Sequence, residues 1–145
     1  SATVSNPTLD SLGLDTDDDV RFDSFGVGTA ASGTTGEIRA TDNITAYYSS
    51  DVALKENISP IENALEKLDK ISGVTFDWTD DFVKDRGGED GYFVRKKDVG
   101  VIAQELQKVL PEVVAERTDG TLAVKYDRII PLLIQAIKEL KNGVS

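Results

Sequence analysis

Ser49-Ser50-Asp51-Val52-Ala53-Leu54-Lys55-Glu56-Asn57-Ile58 is the stretch on which the reading of this chain turns. It lies at the seam between two halves of different composition. Residues 1–49 hold eight acidic and two basic residues and are rich in Gly, Ser, Thr, Ala and Asp; residues 50–145 hold eighteen acidic and fourteen basic. The stretch also sets a serine five residues before a lysine. The chain has no histidine and no cysteine, so the usual nucleophile–base combinations are closed to it. A lysine amine activates a neighbouring serine hydroxyl when desolvation or a nearby cation lowers its pKa. Ser50 and Lys55 are therefore the first candidates for covalent chemistry. A spacing of five does not stack two side chains on one helix face. An extended or turn segment that bends the serine back toward the lysine is needed. On residue types alone the pair is common, and a surface turn accounts for it as well.

Upstream of the seam the chain offers only short β-prone pieces: Val20–Phe22, Ser24–Gly28, Gly36–Ala40 and Asn43–Tyr48, divided by turn residues. None can build a two-layer core alone. Such pieces suit an elongated, intertwined β stalk in which several chains share one core, or else a partly ordered leader. Asp15-Thr16-Asp17-Asp18-Asp19 opens like a calcium loop but has Val20 where glycine and Gly26 where glutamate belong, so it reads as a solvated acidic turn. Gly26-Val27-Gly28 has no Gly-Lys-Ser/Thr ending and is not a phosphate loop.

Downstream the pattern is α+β. Ser59-Pro60 reads as a helix start, and Ile61, Ala64, Leu65 and Leu68 repeat at helical spacing to about Lys70. Gly73 then opens an alternating strand through Val74, Phe76 and Trp78. Thr79–Gly91 is polar and glycine-bearing and reads as an exposed loop, with Asp77, Asp80, Asp81 and Asp85 around the tryptophan. Tyr92–Val94 and Val99–Ile102 read as strand pieces. Ala103–Leu110 is a short helix stopped by Pro111, and Val113–Val124 is a hairpin turning at Asp119-Gly120. A helix from about Asp127 to Lys141 follows, with Pro131 tolerated in or near the first turn. Ile130, Ile137 and Val144 lie seven apart with Leu133 and Leu140 between them, an a/d seam over roughly two heptads. An ordinary amphipathic helix packed on its own domain gives the same periodicity.

Composition narrows the function classes. A net charge of −10 argues against nucleic acid and anionic membrane surfaces as partners. No apolar run approaches the ~18 residues of a membrane span. Ser1–Ser5 has neither a basic nor an apolar region, so no signal peptide is expected, and the lack of an initiator Met leads us to expect a piece of something longer. No cofactor and no metal site is expected.

Five motifs in order carry a resemblance: Ser50–Ile58, Gly73–Trp78, Asp98–Glu105, Leu110–Val114, and Val124–Arg128 with Ile130–Leu133. Together they resemble the intramolecular chaperone domain of phage tail fibres and tailspikes, the S74 peptidase family that includes the endosialidase chaperone. The likeness covers residues 50 to about 142. Upstream, Gly36–Thr41 and Ile44–Tyr48 look like the end of a fibre shaft. The resemblance implies a fibre shaft over residues 1–49 and a chaperone and autoprotease domain over residues 50–145, assembled as an intertwined homotrimer. It implies that the domain holds three chains together while the shaft folds, then releases itself by self-cleavage. Ser50 would be the nucleophile and Lys55 the base, with Asp51, Glu56 and Asn57 as possible supporting residues and Ile130, Leu133, Ile137 and Leu140 as trimer contacts. The implied partners are further copies of the chain and its own upstream shaft. The implied setting is the host cytoplasm during virion assembly, with the shaft remaining in the tail.

Ring size bears on the scissile bond. The Ser50 hydroxyl reaches the Ser49 carbonyl through a five-membered ring, whereas its own carbonyl would need a four-membered one. Cleavage between Ser49 and Ser50 is expected, with Ser50–Asp51 the alternative if another chain supplies the nucleophile. Backbone amides are the expected oxyanion donors. The rival expectations are a non-enzymatic trimerisation and receptor-binding tip, and a generic α+β binding module.

Overall fold

The computed structural model describes residues 12, 14 and 17–143 and divides into two units, one ending at Tyr47 and the other beginning at Tyr48. Val144, Asp15, Thr16 and the N-terminal residues discussed above lie outside the described residues.

In the first unit two three-residue strands, β1 (Phe25–Val27) and β2 (Ile38–Ala40), pair in parallel, Phe25 opposite Ile38 and Val27 opposite Ala40. Gly26 lies in β1, where an added Cβ would press on the backbone of Ala30 and Ala31 at 2.7–2.8 Å. Val20–Phe22 and Asn43–Tyr48, expected as strand pieces, pair with nothing among the described residues. A strand exists only through its ladder partner, and here none is within reach. No described residue of this unit is buried.

The second unit is mixed, with two antiparallel pairs and four helices: α1 (Ala64–Asp69), β3 (Gly73–Asp77), α2 (Asp80–Asp85), β4 (Lys97–Val101), α3 (Ala103–Val109), β5 (Val114–Glu116), β6 (Leu122–Val124) and α4 (Ile130–Gly143). β3 and β4 pair from Gly73 opposite Val101 to Asp77 opposite Lys97. β5 and β6 pair as the expected hairpin, Val114 opposite Val124, with Gly120 at φ 84° in the turn.

Three expectations need correction. The helix expected from Ser59-Pro60 starts later, at Ala64, because Asn63 takes a left-handed conformation (φ 53°) and interrupts the helical run. Its start is capped from a distance. The Glu139 carboxylate of α4 accepts from the Ala64 and Leu65 amides, both at 2.8 Å. These bonds hold its carboxyl below the usual carboxylate range. The loop expected over Thr79–Gly91 contains α2, capped by Thr79 Oγ1, which accepts from the Phe82 amide at 3.2 Å. Phe82 stacks on Trp78 with ring centroids 4.1 Å apart, which secures so short a helix. Tyr92–Val94 is a bend and not a strand, because the Asp90 carboxylate accepts from both the Tyr92 and Val94 amides at 2.8 Å.

The core sits between α1 and α4, where Ala64, Leu132 and Ala136 are buried and Ile61, Leu65, Leu68, Ile71 and Leu110 pack around them. Leu106, Val113 and Val94 are buried elsewhere in the unit. α4 therefore has two apolar faces. Leu132 and Ala136 are 0% and 1% exposed, whereas Ile130, Leu133, Ile137 and Leu140 are 41–65% exposed.

Candidate active site

The site is built on one turn of 3-10 helix, Val52–Leu54. Asp51 caps it. Its carboxylate accepts from the Ala53 amide at 2.8 Å, satisfying a donor that the first turn leaves without a helical partner. The Leu54 and Lys55 amides then donate to the Asp51 and Val52 carbonyls at 3.2 and 3.1 Å. The turn reverses the chain and brings Lys55 back over Ser50. Lys55 Nζ donates to Ser50 Oγ and to the Ser50 carbonyl, both at 2.8 Å. A spacing that no α-helix would bring together is closed by this tighter turn.

The other expected supporting residues lie further along the same segment. Asn57 is left-handed at φ 53° and exposed, and Glu56 is exposed. Ser49, Ser50 and Lys55 are exposed as well. The Ser50 hydroxyl and the Lys55 amine lie at hydrogen-bond distance on this exposed segment.

Immediately upstream, the Tyr48 ring is contacted by two cations, Lys125 Nζ and Arg128 Cζ, each 5.7 Å from the ring centroid. Both lie at the turn Tyr126–Ile129 that leads into α4. Sequence reasoning placed Tyr48 at a shaft end and Lys125 and Arg128 in a motif 77 and 80 residues away. No spacing rule connects them; only the fold does.

Near Trp78, Asp80 pairs with Lys96, Lys97 Nζ lies 3.5 Å from Asp77, and Trp78 Nε1 donates to Asp98 at 3.1 Å. Hydrogen bonding by Lys96 holds the Asp80 carboxyl below its usual range. Among the described residues no cluster of His, Cys, Asp and Glu could hold a metal ion, and no helix is long and apolar enough to cross a membrane.

Residues 50–115, beginning at the dyad serine, match the family described as chaperone of endosialidase. Long tail fiber proteins of several phages are similar to this chain. Over 116 residues the chain is 39% identical to long tail fiber protein Gp37 of Enterobacteria phage K3, covering 75% of this chain and 9% of that protein. The match to Gp37 of Enterobacteria phage T2 is also 39% over 116 residues, covering 75% and 8%. Gp37 of Enterobacteria phage M1 is 38% identical over 102 residues, 68% of this chain and 38% of that protein. The chain thus spans under a tenth of the length of the first two relatives. The match to that family starts within two residues of the unit that begins at Tyr48.

Proposed function

We propose that this chain is an intramolecular chaperone of a phage tail fibre that trimerises, guides folding of the preceding shaft, and then frees the shaft by Ser-Lys autoproteolysis beside Ser50. The observation that carries the reading is the pair of 2.8 Å contacts from Lys55 Nζ to Ser50 Oγ and the Ser50 carbonyl. They occur at the first residue of the chaperone-of-endosialidase match. The relatives, all long tail fiber proteins, support a role in tail assembly.

In the reaction, Lys55 as a neutral amine takes the Ser50 hydroxyl proton while Oγ attacks the Ser49 carbonyl carbon through a five-membered ring. Lys55 returns the proton to the Ser50 nitrogen as the carbon–nitrogen bond breaks. The Ser49 acyl group is left as an ester on Ser50 Oγ. Water then hydrolyses the ester, leaving a carboxylate on Ser49 and a free hydroxyl and amine on Ser50. Two observations fit self-association. Lys55 is exposed in one chain, and in this reading association of the chains is what buries it. The outer face of α4, Ile130, Leu133, Ile137 and Leu140, is the apolar seam through which they join.

The upstream unit fits the same scheme. Residues 1–49 form the shaft, and the β-prone segments Val20–Phe22 and Asn43–Tyr48, which have no strand partner among the described residues, find one in the other chains. Intertwining separate chains costs translational entropy, and a clamp that already holds the three together lowers that cost.

The test is cell-free synthesis of the full chain, followed on a denaturing gel and by intact mass. Wild type should give two pieces meeting at Ser49–Ser50, and Ser50→Ala a single uncut chain. Lys55→Ala should block cutting without blocking assembly. Wild type that assembles and stays whole would overturn autoproteolysis. That outcome favours a non-enzymatic trimerisation and receptor-binding tip, the reading best suited to exposed dyad residues in a structural fibre protein.

A further inference from the structure

We infer that Lys125 and Arg128 form a subsite for the aromatic ring of Tyr48, the second residue before the nucleophile, and so position the Ser49–Ser50 bond for attack. The inference rests on the autoproteolysis reading above. Tyr48 is well exposed, so burial does not hold it. Its ring is met instead by Lys125 Nζ and Arg128 Cζ, each at 5.7 Å from the centroid, within the range of cation–π attraction.

The cations stand on a braced turn. The Lys125 amide donates to the carbonyl of buried Val113 at 2.8 Å, and the Arg128 amide to the Lys125 carbonyl at 3.0 Å. Between them, Tyr126 reaches across to β4, where its hydroxyl accepts from the Val101 amide at 3.2 Å above Gly100. The subsite is thus fixed to two strand pairs, β3–β4 and β5–β6. On the other side of Tyr48 only Ser49 intervenes before Ser50, which Lys55 holds by its hydroxyl and carbonyl. The peptide bond to be cut is pinned two residues upstream by its neighbour's ring and downstream by the dyad.

The strength of such a clamp suits its task. The uncut segment is tethered, so a weak contact suffices to raise the population with the carbonyl in place. Once the bond breaks, the tether is gone, and two exposed cation–π contacts do not retain the freed end. The subsite reads an aromatic face and makes no use of the Tyr48 hydroxyl.

The experiment is the time course of cutting in the full chain during cell-free synthesis, with thermal melting as the check on folding. Tyr48→Phe should cut within about twofold of wild type. Tyr48→Leu, and Lys125→Gln with Arg128→Gln, should each slow cutting by about five- to thirtyfold. Combining all three changes should slow it no further than either set alone, because one interaction is being removed twice. Ser50→Ala should be uncut throughout. Tyr48→Leu cut at the wild-type rate, or losses that multiply, would overturn the subsite while leaving autoproteolysis intact. Wild type left whole after assembly would overturn autoproteolysis, and the subsite with it. In Ser50→Ala, the Lys125 side-chain protons should show an upfield ring-current shift that Tyr48→Leu removes. Absence of that shift overturns the contact whether or not cutting occurs.

Discussion

The two units treat the same kinds of side chain in opposite ways. Downstream of Tyr48, Ala64, Leu132 and Ala136 close a core between α1 and α4, and Leu106 is fully buried. Upstream, Phe22, Phe25, Val27, Ile38, Ile44 and Tyr47 are all exposed, Tyr47 at 96%. The difference lies in arrangement more than in hydrophobicity. α1 and α4 each bring a stripe that meets the other's, whereas a three-residue strand pair presents no second layer to cover it. The downstream unit therefore closes a core within one chain, and the described residues of the upstream unit leave these apolar side chains exposed. This is the division of labour expected if one part is a helper and the other its client.

The sharpest way to break the comparison is to delete the same atoms from each unit. Leu132→Ala should cost about 2–5 kcal/mol of unfolding free energy, because a fully buried leucine leaves a cavity between two helices. It should be read by urea unfolding of dilute, single chains. Ile38→Ala, in the exposed upstream pair, should change the same transition by less than about 0.5 kcal/mol. Equal losses at the two positions would mean that both units share one cooperative transition.

A second change tests the bracing of the downstream unit. At Gly100 an added Cβ would overlap the Tyr126 hydroxyl and press on Phe76 Cε1 at 3.4 Å. Gly100→Ala should therefore cost about 1–3 kcal/mol, as overpacking does. If the turn Tyr126–Ile129 gives way instead of β4, cutting should slow along with the loss of stability. Gly33→Ala, upstream, is no matched control, since its φ of 74° strains any side chain.

How much of this was legible in the sequence follows from the range of each interaction. β3, α3, the β5–β6 hairpin and α4 are written in local spacing, and each was expected within a few residues. The start of α1 was not, because its cap is Glu139, 75 residues along the chain from Ala64. α2 escaped because six residues are too few for periodicity, and its main support is a stack of Phe82 on Trp78. The seven-residue repeat of α4 marked an apolar stripe but not its use. The face turned inward is Leu132 and Ala136, and the marked seam is the one left exposed. For the site, the residue types of Ser50 and Lys55 were visible, and their closure depended on a 3-10 turn capped by Asp51. The meeting of Tyr48 with Lys125 and Arg128 is tertiary and had no local signature.

The Glu139 cap gives the comparison a pH dependence confined to the downstream unit. Its carboxyl sits below the ordinary value because the Leu65 and Ala64 amides donate to the charged form. A carboxyl depressed in the folded state binds protons more readily in the unfolded chain. Its contribution is thus fully present above the unfolded pKa of about 4.5 and is lost as pH falls through the folded value. Glu139→Gln should lower stability at neutral pH by less than Leu132→Ala. It should also flatten the loss of stability below about pH 4.5 relative to wild type. Parallel wild-type and variant curves in urea titrations across that range would show that the cap is not the group responsible.

The smallest expected effect on the chain itself is the one that separates the two faces of α4. Ile137 is 65% exposed, so replacing it removes little packing from the single chain. Glutamate is a good helix former, and Lys141 lies four residues on, so Ile137→Glu also gains a favourable i,i+4 pair. Unfolding of dilute chains should shift by less than about 0.5 kcal/mol. The same change buries a charge wherever α4 meets α4 of another chain, and desolvating a charge in an apolar seam costs more than an exposed i,i+4 pair returns. Sedimentation should therefore show assembly lost at a concentration where wild type is fully associated, and cutting beside Ser50 lost with it, although neither dyad residue has been touched. Cutting at the wild-type rate in a chain that no longer associates would mean that Lys55 needs no burial from its neighbours. The exposed seam would then have nothing to do with the chemistry.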